Sequence, residues 1–158
     1  MTRMISVGSG VGVLLLAGTA SAAYQGMSAD LHASSAYGDT YRIYVDLDAG
    51  DRLDAVYGSA ENPLALGGPG LYQNAFGGNT STDINPLLYG AFSSLHYDSW
   101  VTIGLEDMTG NALADIGIDW TDFAGGGGIS TSDGAWYVTP DDAQGDAVGG
   151  DRNRARRY

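Results

Sequence analysis

The side chains whose types and spacing could do chemistry are mostly carboxylates. Asp46 and Asp48 stand two apart in an alternating segment, which puts both on one strand face, and Asp51 follows across the Ala49-Gly50 turn. Ca²⁺ takes six to eight oxygens from such clustered carboxylates and backbone carbonyls. The spacing matches the opening of an EF-hand-like loop but lacks its later glutamate. Asp115, Asp119 and Asp122, and Asp141, Asp142 and Asp146, form looser groups of the same kind. The competing reading is that all of these are solvated turn acids. Trp100 offers different chemistry. Alternation places it opposite Val101, Ile103 and Leu105 and beside Asp98 and Thr102, where an indole flanked by polar groups could stack on a sugar ring. Against this, large aromatics in a two-sheet fold usually fill the core. Trp120 and Trp136 lie on apolar faces and read as core.

Other chemistries lack their parts. There is no cysteine and no lysine, which removes thiol nucleophiles, Schiff bases and the phosphate-binding lysine of a P-loop. His32 and His96 are 64 positions apart, without the short spacing of a zinc site and with no nucleophile elbow nearby. A glycosidase needs two carboxylates held across a sugar. Nothing distinguishes Glu61 and Glu106, the only glutamates, for that task.

The elements that must position these residues are strands. Tyr41, Ile43, Val45 and Leu47 alternate with Arg42, Tyr44, Asp46 and Asp48, the signature of a half-buried strand. Leu53, Ala55 and Tyr57 continue the period after the turn, so residues 40–58 read as a hairpin. Further alternating runs lie at Val101–Leu105, Ile116–Trp120 and Trp136–Val138, with short apolar pieces at 64–66 and 71–76. Helical spacing is confined to Asp83–Phe92, where Asp83 could cap and Leu87, Leu88 and Ala91 share a face. Gly125–Gly128 reads as a flexible loop. Short strands, Gly-rich turns and no helical crossovers predict an all-β fold: a single antiparallel β-sandwich, jelly-roll or immunoglobulin-like, with at most one short helix.

The N-terminus has the three parts of a signal peptide. Arg3 supplies the positive charge, Ile5–Ala17 the apolar stretch, and Ala20-Ser21-Ala22 a small-x-small cleavage site. Residues 1–22 are therefore expected to be removed on export. Gly8, Ser9, Gly10 and Gly12 interrupt the apolar run, which is too short to span a bilayer. No later segment is apolar enough to do so. Glycine makes up 25 of 158 residues, more than twice the usual ~7%, and with 44% apolar residues this indicates a folded, loop-rich chain. From Ala23 to Gly150 there are eighteen acidic residues against Arg42 and Arg52 alone. Such a surface repels phosphate, which excludes nucleic acid and anionic membranes as partners.

Residues 151–158 break the pattern, with four arginines in eight positions and no alternating apolar residues. They are expected outside the sandwich and without strand pairing. Two origins stay open: a basic tail against an acidic body, or a chain that diverges near Gly150 through truncation or a shifted frame. In the second case the strand around Trp136 would be left as an unfilled sheet edge. The segments Gly38-Asp39-Thr40-Tyr41-Arg42-Ile43-Tyr44-Val45, Leu71-Tyr72-Gln73-Asn74-Ala75-Phe76-Gly77-Gly78 and Asp98-Ser99-Trp100-Val101-Thr102-Ile103-Gly104 carry a resemblance. Over roughly residues 25–150 the chain resembles functionally uncharacterised secreted β-sandwich proteins of planctomycete-type environmental bacteria. The resemblance implies an export signal and a sandwich, and no catalytic residue. The function expected is a non-enzymatic secreted or cell-surface domain acting in structure, adhesion or assembly. A carbohydrate-binding module comes second and a glycoside hydrolase third. No cofactor is required, Ca²⁺ being the ion that the acids suit, and the partner is extracellular: a surface protein or a glycan.

Overall fold

The computed structural model describes residues 24–67 and 70–147, together with the backbone of 153–157. The expected export signal at 1–22 lies outside the described residues. In chain order the strands are β1 (Tyr24–Ser35), β2 (Gly38–Leu47), β3 (Ala55–Tyr57), β4 (Leu64–Leu66), β5 (Ala114–Ile116), β6 (Ile129–Thr131), β7 (Ala135–Tyr137) and β8 (Asn153–Arg157). Among the described residues the single α-helix is α1 (Thr121–Ala124), one turn long. The fold is all-β, and it is built of three small sheets: β1-β2-β8, β3-β7-β5 and β4-β6, with every strand pair antiparallel. No helix among the described residues is long and apolar enough to cross a membrane.

The longest ladder joins β1 to β2, from Tyr24↔Leu47 to Ser35↔Gly38. On β2 the predicted alternation holds at its inner end, where Val45 and Leu47 are buried against Leu53 and Ala147. Tyr44 is buried on the opposite face. The hairpin therefore covers 24–47 and corrects the expected hairpin at 40–58. The Ala49-Gly50 turn does form, with Gly50 in the left-handed region at φ +88°. Beyond it the chain leaves this sheet: Leu53 N–H bonds the Gly145 carbonyl, and β3 pairs with β7 instead.

Strand β7 lies between β3 and β5, and its Trp136 is completely buried in the main core. The expected open edge at Trp136 is thus corrected, since both its neighbours are in place. Around it pack Val101, Ile103, Leu113, Phe123, Ile129 and Val138, with Leu53, Leu64, Leu66 and Trp120 at the margin. The Ile116–Trp120 run is not one strand, because Gly117 at φ +68° turns the chain after β5 and leaves Ile116 exposed. The Asp83–Phe92 helix is replaced by three short 3₁₀ turns at Ser81–Asp83, Pro86–Leu88 and Ser93–Tyr97. Asp83 caps the first of them by accepting from Thr80 N–H, and Pro86 opens the second behind the Asn85 cap, so each turn starts afresh.

The C-terminal expectation needs correction as well. Residues 153–157 pair with β2, from Leu47↔Asn153 to Ile43↔Arg157, and place β8 at the sheet edge. A ladder is made by backbone N–H and C=O groups, so an edge position admits a segment with no apolar alternation.

Candidate functional site

An open cleft of about 430 Å³ lies where the tip of the β1–β2 hairpin meets the loops around Leu71 and Asp98. Each wall follows from a local rule. Ser35 shapes the hairpin turn: its hydroxyl accepts from Tyr37 N–H at 3.1 Å and donates to the Gly38 carbonyl at 3.2 Å. Gly38 leaves the turn at φ +113°, open to glycine. Tyr37 is thereby projected at the tip, its ring 4.5 Å from Tyr72 and 5.8 Å from Tyr97 between centroids. Tyr41 and Arg42 enter from β2, His32 from β1, and Phe123 from α1. Tyr37 and Tyr41 are about half exposed.

The floor is organised by Asp98, which is 3% exposed. Its Oδ1 accepts from Asn74 N–H at 2.6 Å and its Oδ2 from Gly78 N–H at 3.1 Å. Burial pushes this carboxyl up to about 6, although backbone N–H groups of Asn74, Gly78 and Ser99 favour its charged form, and nearby Asp83 raises it further. Gly77 passes so close that a Cβ there would overlap the Asp98 carboxylate. Asp98 thus ties the 71–78 loop to the 98–103 segment, and the tie is reinforced where Ser99 N–H bonds the Tyr72 carbonyl and Val101 N–H bonds the Asn79 carbonyl.

Of the residues expected to bind a ligand, Asp98 and Trp100 both line this cleft, but not as an exposed platform. Trp100 is 6% exposed and packs with Ile84 and Leu95 in a small core of its own. The stacking indole expected from alternation is corrected on this point. Residues 100–103 are all buried because the segment runs between the 72–81 loop and the main core, which covers both of its faces. Its backbone makes one parallel bridge, Thr80↔Val101, and no regular strand.

The sequence gives little sign that His32 and His96 meet, yet both line the cleft beside Arg42. His32 is exposed overall. Partial burial of its ring, then the Arg42 charge, hold its pKa below the usual 6.5, while Glu106 acts in the opposite sense. His96 stacks on Tyr89 at 4.1 Å, and Arg42 Nη2 pairs with Glu106 at 3.0 Å.

The candidate calcium ligands are not brought together. Asp46 accepts from the Ser28 hydroxyl at 3.0 Å, and Asp48, just past β2, from the Gln25 amide at 2.9 Å. Asp51 contributes its backbone, donating to the Asp48 carbonyl. In the looser sets Asp115 holds the Trp120 indole N–H and Asp119 accepts from Thr121 N–H, and hydrogen bonds from Thr121 hold its carboxyl below the usual range. Asp142 caps Gln144 and Asp146 pairs with Arg52 at 2.6 Å. Among the described residues no three His, Asp or Glu side chains converge as a metal site. The chain matches no protein-family model, no curated protein and no solved structure.

Proposed function

We propose that this is a non-catalytic saccharide-binding domain of an exported protein, with the tyrosine-lined cleft as its site. The observation that carries the reading is the convergence of Tyr37, Tyr41, Tyr72 and Tyr97 on one open cleft beside hydrogen-bonding groups of Asp39, Arg42, His96 and Ser99. Sugar rings present apolar C–H faces with hydroxyls around the rim. Exposed aromatic faces flanked by polar groups suit both. Asp98, the carboxyl with raised pKa, has its oxygens engaged by backbone N–H groups, which favours a structural task for it over proton transfer. Export is read from residues 1–22. The sheets β1-β2-β8 and β3-β7-β5 are read as layers of a distorted sandwich, supported by Leu53, which packs against the cores of both.

One observation favours a second reading, an assembly role. Strand β1 forms a sheet edge of 12 residues with Tyr24, Met27 and Leu31 exposed, and such edges accept further strands.

The test is a screen of the protein against neutral and acidic oligosaccharides, with Tyr37→Ala as the site variant and Tyr57→Ala, exposed on β3, as control. Loss of one stacking ring should weaken binding about five- to tenfold, on the order of 1 kcal/mol. Tyr57→Ala should bind as the parent does. Equal loss in both variants, or no saccharide bound by the parent protein, would sink the reading.

A further inference from the structure

The cleft gathers most of the basic side chains that precede the arginine-rich residues 151–158. Between Tyr24 and Ala147 the chain has Arg42, Arg52, His32 and His96 and no lysine, against a net charge of −12 for the whole. Arg42, His32 and His96 all line the cleft. Arg52 is committed elsewhere, to Asp54 at 3.1 Å and Asp146 at 2.6 Å. A stretch with so few basic groups that brings three of them from β1, β2 and the Ser93–Tyr97 turn to one opening has placed there what an anion needs. Resting on the saccharide reading of this cleft, we propose that its ligand is an acidic saccharide, carrying uronate carboxylates or sulfate esters, bound more tightly as the pH falls.

The charge inventory sets the direction. Around the two histidines are Arg42 and Tyr41 from β2, Glu106 paired with Arg42, Asp30 opposite Arg42 in the β1–β2 ladder, Tyr89 stacked on His96, and Asp39 and Asp98, which line the same cleft. Asp39 is held by the Ser34 hydroxyl at 2.6 Å. At neutral pH the carboxylates outnumber the single guanidinium, and an anion is poorly received. Mild acidification neutralises Asp98, whose carboxyl sits at about 6, and adds a proton to His32. The balance around Arg42 then becomes less negative, and the arginine's planar fork suits a carboxylate or sulfate ester. Burial and the Arg42 charge hold His32 below its usual value, which puts the change on the acidic side of neutrality. The tyrosines supply the ring contacts and the cations select the acidic substituent.

The experiment is titration calorimetry at fixed ionic strength with an oligogalacturonate, a sulfated oligosaccharide and a neutral cello-oligosaccharide of matched length. Affinity for an acidic probe should rise about tenfold between roughly pH 8 and roughly pH 5.5, with the neutral probe unchanged. His32→Gln should remove much of that rise, while circular dichroism stays that of the parent. Equal affinity for neutral and acidic probes at both pH values overturns the acidic assignment and leaves the saccharide reading standing. Binding of no probe at any pH overturns both. Acid-strengthened binding that survives His32→Gln in full overturns the placement in this cleft and assigns the effect to overall charge.

Discussion

Asp98 is where one residue decides most about the molecule's response to pH. Its folded pKa, about 6, lies above the unfolded value near 3.8, so the folded state binds the proton more readily. Stability should therefore rise as pH falls through 6 toward 4, and this contribution should be absent above about pH 7. A shift of that size corresponds to about 3 kcal/mol at most. Urea denaturation of the parent and of Asp98→Asn across this range checks it. The variant should lack the gain that the parent shows on acidification, and parallel curves would place the titration elsewhere. Comparison of the two also separates Asp98 from His32. The histidine's lowered folded pKa works with the opposite sign, removing stability as pH falls through about 6.5.

At the scale of elements, the glycine run after α1 is an anchored passage where a flexible loop was expected. Gly127 N–H bonds the Asp122 carbonyl at 2.7 Å, and the Gly126 carbonyl receives Leu71 N–H at 2.8 Å. A Cβ at Gly128 would run into the Leu66 carbonyl across the β4–β6 sheet. Gly128→Ala should thus cost about 1–3 kcal/mol, seen as a lower denaturation midpoint with an unchanged m-value. An unaltered midpoint would mean that the passage yields. The elements legible in the sequence were those with clean apolar alternation on one covered face, β2 above all, and short runs such as β4 and β7. Strand β1 was missed because serines and alanines dilute its period, Gly26 sits at a register shift, and a second shift falls between Leu31 and Ala33. Alternation at Val101–Leu105 misled for the opposite reason. The segment is covered from two sides, so its period marks no solvent face. Of the cleft, sequence pointed to Asp98 and Trp100 through their neighbourhood. It could not show that Tyr37, Tyr72, His32 and His96 join them, since a loop tie at Asp98 and a hairpin tip bring them together, and neither has a periodic signature.

For the whole molecule, the excess of carboxylates predicts self-repulsion in the compact state. Most of these acids are engaged one at a time, in caps and single pairs such as Asp119 with Thr121 N–H and Asp48 with Gln25. Raising NaCl from about 10 mM to about 500 mM should screen the repulsion and add on the order of 1 kcal/mol, a few degrees in Tm. CaCl₂ at matched ionic strength should do the same and no more. A clearly larger calcium shift would point back to Asp46, Asp48 and Asp51. The order β1-β2-β8 also has a mechanical consequence. Strands β1 and β8 both run antiparallel to β2, on its two sides, and are therefore parallel to each other. Tension applied at Tyr24 and Arg157 draws β1 and β8 in opposite directions along β2. Ladder bonds lie perpendicular to the strands, so they are loaded in shear and must fail together, where a hairpin pulled open at one end would release them in turn. That geometry resists extension, and single-molecule pulling from those two positions should register it as one high-force rupture.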